Sequence, residues 1–314
     1  MRARYAAPTM DPTAMALIMG LQQAKSAARG EAPGATAAPA TSFADRCPNE
    51  PLFRLEGEPV RVDLTAAAWL ARLRGDASLG PGTTSRQNLN DVWGMDAMEG
   101  AFQGDLSLLW KNWTVRFTGS EFGTDATGPA TQAVSFGSTA FAAGDLMKSS
   151  FDMYTWGVDV QSWIWRPMSA QQFPWQAAVP GEDLGGDLQI VALMGGRGFG
   201  IEQEEQNLTT GASTTYTETF GTVIVGAGFD VSVDLKRRVG FLDRIEFSAT
   251  GAWGPMWPGS QGSYVEVRAQ LVAWITGNAG VLFGYRYTGM DFTQGDYSFG
   301  GDVAGLIVGG ELRF

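Results

Sequence analysis

The feature that most limits what this chain can fold into is a two-residue alternation that recurs in long stretches and runs out to the last residue. In the closing segment "GDVAGLIVGGELRF", Ala304, Leu306, Val308, Gly310, Leu312 and Phe314 make one apolar or small face. Gly305, Ile307, Gly309, Glu311 and Arg313 make the other, which carries both signs of charge. Such period-2 patterning marks a strand with two unlike faces. It returns upstream: Val265, Val267, Ala269, Leu271, Ala273 and Ile275 oppose Glu266, Arg268 and Gln270, and Ile245, Phe247, Ala249 and Trp253 oppose Arg244, Glu246, Ser248 and Thr250. Val223 to Val233 oppose Asp230, Ser232 and Asp234 in the same way, and Trp113, Val115 and Phe117 oppose Arg116 and Thr118.

The pattern predicts an all-β chain of about ten strands, within a range of eight to twelve, over 60–74, 99–110, 113–122, 147–164, 187–202, 215–235, 243–254, 263–276, 279–291 and 297–314. No amphipathic helix is legible from residue 58 onward. "KN" at 111–112 and "GN" at 277–278 have the length and chemistry of hairpin turns. Connections at 75–98, 123–146 and 203–214 are long, as is 165–186.

Which face is inside decides the class of protein. A soluble sandwich or lipocalin-like cup would bury the apolar faces. Three features favour the inverse arrangement. The polar faces hold seven acids (Asp105, Asp159, Asp230, Asp234, Glu246, Glu266, Glu311) against six arginines (Arg116, Arg197, Arg244, Arg268, Arg286, Arg313), a balance suited to pairing in an enclosed lumen. Trp110, Trp113, Trp163 and Trp165 lie at one set of strand ends and Tyr264, Tyr285 and Tyr287 towards the other, as two interfacial girdles. The strands are also long enough to cross a bilayer and project beyond it. The expected fold is therefore a transmembrane antiparallel up-and-down β-barrel over 58–314. Arg244, Glu246, Glu266, Arg268, Arg286, Glu311 and Arg313 are the expected lumen charge network, with Glu266 pairing to Arg286 or Arg244 from neighbouring strands.

Composition removes several functions. The 314 residues contain no histidine, which excludes His-dependent triads and the commonest zinc ligand. A formal net charge of −11 argues against nucleic acid as partner. No apolar run approaches the ~18 residues of a membrane helix. Cys47 alone makes no internal disulfide. Residues 1–57 are rich in Ala, Pro, Gly and Thr and read as leader plus linker, with a short apolar core, "AMALIMGL", suited to an export signal.

The terminal Phe314, with Leu312 and Val308 at alternate positions before it, resembles the C-terminal signal that bacterial outer-membrane β-barrels present to their insertion machinery. "NLNDVWGMDAMEGAFQGDLSL" and "VSFGSTAFAAGDLMKSSFDMYTWGVDV" resemble the D-L-x-x-x-L-G-L-D segment and the F-x-G-x-x-F-x-x-G-D-x-x-x-S loop of small barrels catalogued only as outer membrane proteins. Trp93 and Met95 stand where that family has leucines. The resemblance covers residues 60–314. It implies an outer-membrane location, with membrane lipid and the barrel-assembly machinery as partners, and no reaction.

The expected role is accordingly non-enzymatic, structural or surface-interacting, without a cofactor or metal. The alternatives are a narrow passive channel for small solutes and a soluble binding protein. Glu246 and Glu266 read as salt-bridge partners rather than an acid/base pair. "GGRGFG" at 195–200 lacks the helix that a phosphate-cradling loop needs, and reads as glycines that shape a strand. The acidic stretch "EQEEQNLTTGAS" reads as a solvated outer loop, with divalent-cation binding as its sharper alternative. The sequence specifies neither a ligand nor an oligomeric state.

Overall fold

The computed structural model describes residues 53–55, 58–80, 86–168, 175–176, 183–184, 186–235, 239–257 and 261–314. Among them ten long strands form one sheet: β1 (Glu58–Leu79), β2 (Met98–Trp110), β3 (Trp113–Pro129), β4 (Leu146–Met168), β5 (Gly186–Asn207), β6 (Ser213–Asp234), β7 (Arg244–Trp257), β8 (Gln261–Trp274), β9 (Ala279–Gln294) and β10 (Tyr297–Arg313). Each pairs antiparallel with its sequence neighbours, and β10 pairs with β1 over Tyr297↔Leu79 to Arg313↔Asp63, so the sheet closes. Val62 and Phe314 exchange backbone hydrogen bonds of 3.1 and 2.9 Å, which carry that seam to the last residue. Closure leaves no open edge, which is what a barrel in lipid requires.

The ten expected strands are all present, and several are longer than the alternation indicated. β5 continues to Asn207 and β6 starts at Ser213, so the expected 203–214 loop is a five-residue turn. The acidic stretch at 202–207 is therefore strand, and no group of three or more Cys, Asp or Glu among the described residues is arranged to hold a metal. The proposed leader and Cys47 lie outside the described residues, as does most of 165–186. Phe53–Leu55 already pairs with Val60–Glu58 at the start of β1.

The exterior is apolar over a band. Phe102, Ile164 and Trp165 are 63–65% exposed, whereas Arg286 in the interior is fully buried. A soluble protein does not arrange its side chains this way, because unpaired apolar surface in water is unfavourable by roughly 25 cal/mol per Å2. Trp113, Trp163 and Trp165 stand outward at the end carrying the short turns, with half-buried Trp110 on the same face. The Lys111 ammonium lies 4.4 Å from the Trp110 ring. Tyr285 and Tyr287 also face outward, joined by Tyr154, Trp156, Trp253 and Trp257. Tyr264 does not: it is fully buried and points into the barrel. Its parity with Glu266, two residues on, already required this.

Towards the loop end the polarity of the two faces inverts on several strands. On β6 the outward residues become Thr215, Thr217 and Thr219 while Phe220 and Ile224 turn inward and are buried. On β5 Glu202 and Glu204 face out while Phe199 and Ile201 face in. A 22-residue strand rises roughly 70 Å, far more than a tilted crossing of a ~25 Å apolar band consumes. The surplus is built as a water-facing barrel with an apolar core.

Candidate functional site: the lumen and its cap

Three zones follow one another along the interior. At the turn end, Arg313 donates to both oxygens of Asp63 (3.0 and 3.0 Å) and to Glu246 (3.0 Å), and its guanidinium stacks 4.0 Å from the Trp274 ring. Trp274 donates its indole N–H to Glu246 (2.9 Å), Arg244 pairs with Glu246 (3.0 Å), and Glu311 lies 3.8 Å from Arg313. All of these side chains except Trp274 line a cavity of about 620 Å3 at the turn end.

Deeper in, three acids and three arginines form a buried, charge-balanced layer. Arg197 donates to both oxygens of Asp159 (2.5 and 2.8 Å) and to Glu266 (2.9 Å). Arg286 lies 3.6 Å from Glu266, donates to Ser120 (2.8 Å), and sits 4.9 Å from the Trp69 ring. Arg268 pairs with Asp105 (2.9 Å), which also accepts from Gln103 (3.1 Å). Such pairs offset their desolvation only when geometry and supporting hydrogen bonds are both good; Arg197 meets that condition with three hydrogen bonds to two acids, whereas Arg286 Nε and Nη2 and Arg268 Nε are buried without a hydrogen-bond partner.

The expected network of seven residues is thus two clusters. Glu266, Arg268 and Arg286 belong to the inner layer; Arg244, Glu246, Glu311 and Arg313 belong to the turn-end ring. Glu266 does pair with Arg286, but not with Arg244, whose β-partner is Trp274 at the far end of β8. The chief partner of Glu266 is Arg197, which comes from β5 across the lumen. Asp63 and Arg61 were absent from the expected set, although Asp63 alternates with outward Leu64 and Val62 in the same way.

The glycines of "GGRGFG" acquire a reason. A Cβ on Gly157, opposite Arg197 on β4, would lie 2.6 Å from the Arg197 guanidinium and 2.7 Å from the Gly196 carbonyl. A Cβ on Gly195 would collide with Asp159. These two glycines leave room for the ion pair inside. Gly198 and Gly200 face outward, where the Trp156 and Tyr154 rings lie flat over them.

Above the charge layer the lumen is filled by aromatic side chains. Phe199 stacks between Phe220 (5.5 Å) and Tyr264 (5.7 Å), Phe151 stacks on Phe299 (5.5 Å), and Tyr216 stacks on Tyr297 at 3.8 Å. Tyr264 links the zones by donating to Glu266 (3.1 Å). Glu205 is buried here too: it accepts from Gln203 (2.9 Å), which in turn accepts from Tyr297 (2.9 Å). Because Glu202 and Glu204 already face outward below it, Glu205 lies beyond the lipid-facing band, and burial pushes its carboxyl up to about 8.

A cap closes the loop end, and it is made from residues 86–97 and 130–145. Asn88 accepts from the backbone N–H of Asn90 (3.0 Å) and Asp91 (2.8 Å), while the Asn90 amide donates to the Leu73 and Met95 carbonyls (3.0 and 2.8 Å). This fold drives Trp93 and Met95 into the core, where Trp93 meets Phe136 (6.0 Å) and Phe141 (5.6 Å) edge-on. Trp93 and Met95 therefore fill the cap. Asn207 ties the second segment down through Ala140 and Asp145 (2.9 Å each), and Gly137 takes φ +56° against Leu79 and Thr214.

No family model and no curated protein matches the chain. Among solved structures, it is similar to the outer membrane protease OmpT from Escherichia coli, at 7% identity and TM-score 0.41 over 81% of this chain and 97% of that one. It is also similar to Ail, the attachment invasion locus protein of Yersinia pestis, at 9% identity and TM-score 0.30 over 80% and 98%. The structure of Ail with the heparin analogue sucrose octasulfate gives 13% identity and TM-score 0.29 over 81% and 99%. At these distances the names carry nothing over to this chain's activity or ligands.

Proposed function

We propose that this is a non-enzymatic β-barrel of the bacterial outer membrane with a structural or surface-interaction role, and that it does not conduct. The observation that carries this reading is the filled loop-end half of the lumen. Trp69, Phe122, Phe151, Phe199, Phe292, Tyr297 and Phe299 are each less than 2% exposed, and the cap packs above them. A solute would have to displace that core and then break a buried ion-pair layer, so a passive channel is the poorer account of the same interior. The absence of histidine and the pairing of the interior acids with arginines support a role without catalysis. With the hairpin turns at 111–112 and 275–278 facing the periplasm and the connections that build the cap outside, the capped end is the one presented to the exterior. Its tied-down loops and water-facing upper barrel suit a rigid contact surface.

Conductance of the refolded protein in a planar lipid bilayer tests the reading. A silent barrel is expected. Discrete, voltage-stable openings of the wild-type protein would overturn it in favour of a channel.

A further inference from the structure

The turn-end cavity is open where the rest of the lumen is closed, and its charges are not all used. Most of its lining groups are engaged in the ring around Arg313 and Glu246, or in the Arg166–Asp187 pair. Arg116 on β3 is different. It lines the cavity together with Asp63, Asp105, Asp230 and Glu311, yet among the described residues it forms no ion pair or hydrogen bond with any of them. A guanidinium that lines a cavity and is bonded to none of its carboxylates is free to meet a ligand there. Asp230 on β6 likewise lines the cavity without an ion pair or hydrogen bond among the described residues. The third group is Gln270, 8% exposed, whose amide nitrogen is buried at the cavity wall with no partner. A buried donor left unsatisfied is costly, so such a group marks a place where an acceptor belongs.

We infer that this cavity is a binding site for a small zwitterion bearing a free carboxylate and a free ammonium, of the size of a dipeptide. The carboxylate would pair with Arg116 and accept from Gln270, and the ammonium would pair with Asp230. A volume of about 620 Å3 lies within the range of small-molecule sites. Six acids and six bases line the cavity (Asp63, Asp105, Asp187, Asp230, Glu246, Glu311 against Arg61, Lys111, Arg116, Arg166, Arg244, Arg313), so a zwitterion enters without unbalancing it, whereas an ion of one sign does not. Among the described residues the lumen beyond the ion-pair layer is filled, so the site serves as a receptacle and not as a stage in a passage.

The test is isothermal calorimetry of the full chain refolded in lipid nanodiscs, with unblocked dialanine as the probe and N-acetyl-dialanine amide as the neutral control. Saturable 1:1 binding of dialanine, at least about tenfold tighter than the blocked form, is expected from one charge-assisted contact. Arg116→Gln should weaken it about tenfold or more, and so should Asp230→Asn, which provides a second reading if one variant refolds poorly. Glu204→Gln, on the outer face at the opposite end, should leave it unchanged. No saturable binding of dialanine to the wild type, equal binding of the blocked form, or full retention of binding in both cavity variants would each overturn the assignment.

Discussion

Replacing Glu266 by Gln probes the ion-pair layer at its centre. Glu266 is reached by Arg197 Nε at 2.9 Å, Tyr264 Oη at 3.1 Å and Arg286 Nε at 3.6 Å. The amide keeps an acceptor for Tyr264 but removes the negative charge. Arg197 would still hold Asp159 by two hydrogen bonds, of 2.5 and 2.8 Å. Arg286 would keep only neutral acceptors, Ser120 at 2.8 Å and Gln103 at 3.4 Å, and the face of Trp69. One fully buried guanidinium is thereby left without its counter-charge. Breaking a buried pair from one side costs about 3–5 kcal/mol, and the partner retained by Arg197 places this case near the lower end, about 3 kcal/mol. Arg286→Met, which removes the stranded charge while filling its volume, should recover part of that loss, so the double variant should cost at least ~1 kcal/mol less than the sum of the singles. The assay is urea titration in one lipid composition, followed by tryptophan fluorescence and heat-modifiable gel migration, with Glu202→Gln as the exposed control. A loss below ~1 kcal/mol for Glu266→Gln, together with additive singles, would refute the pairing and mean that these charges are solvated.

On the outer face of the same strand, Val267→Arg should cost about 2–4 kcal/mol in the same titration, because residue 267 faces hydrocarbon near midplane; a neutral result would reverse the assignment of the two faces. Gly157→Ala should cost about 1–3 kcal/mol, because its methyl group would press on a guanidinium pinned by two acids and on the Gly196 carbonyl; wild-type stability would show that the cradle is slack. Glu205 supplies a pH test. Its folded value of about 8 lies above the ordinary 4.5, so between those two values the closed cap holds a proton that an opened one releases. Cap stability should therefore fall as pH rises through that window and level off above it, by about 1.4 kcal/mol per unit at most. Hydrogen exchange at residues 86–97 should thus show more frequent opening at pH 8 than at pH 6 after correction for intrinsic rates, and Glu205→Gln should remove the difference; equal opening in the wild type would sink the idea. Deleting Phe314 should lower the amount of protein reaching the outer membrane without changing its synthesis, measured by pulse-chase fractionation, and unchanged assembly would make the terminal ring a lipid contact only.

Much of the fold was legible because period-2 alternation is a local property. In β8, Glu266, Arg268 and Gln270 cannot share a face with Val265 and Val267 whatever the rest of the chain does, and all five stand where their parity puts them. Strand ends were less legible. Beyond Gly200 and Thr219 the outward face turns polar and the inward face apolar, so a pattern read as lipid-out and charge-in loses its sign, and the last turns of β5 and the first of β6 looked like loop. Tyr264 shows the limit of reading composition by position, since an aromatic near a strand end suggests a girdle even when its parity sends it inside.

The sequence by itself determined the strands, to within a count of eight to twelve, and the residues that share each face, because alternation depends only on neighbours along the chain. Only the tertiary structure decided which charges meet. Arg197 and Glu266 are 69 positions apart and come from non-adjacent strands, Asp63 and Arg313 are 250 apart and meet at the closing seam, and the cap residues Trp93 and Phe136 find one another above the lumen. Closing a sheet into a ring brings opposite walls within side-chain reach, and that distance is set by barrel size and register, which no single strand encodes.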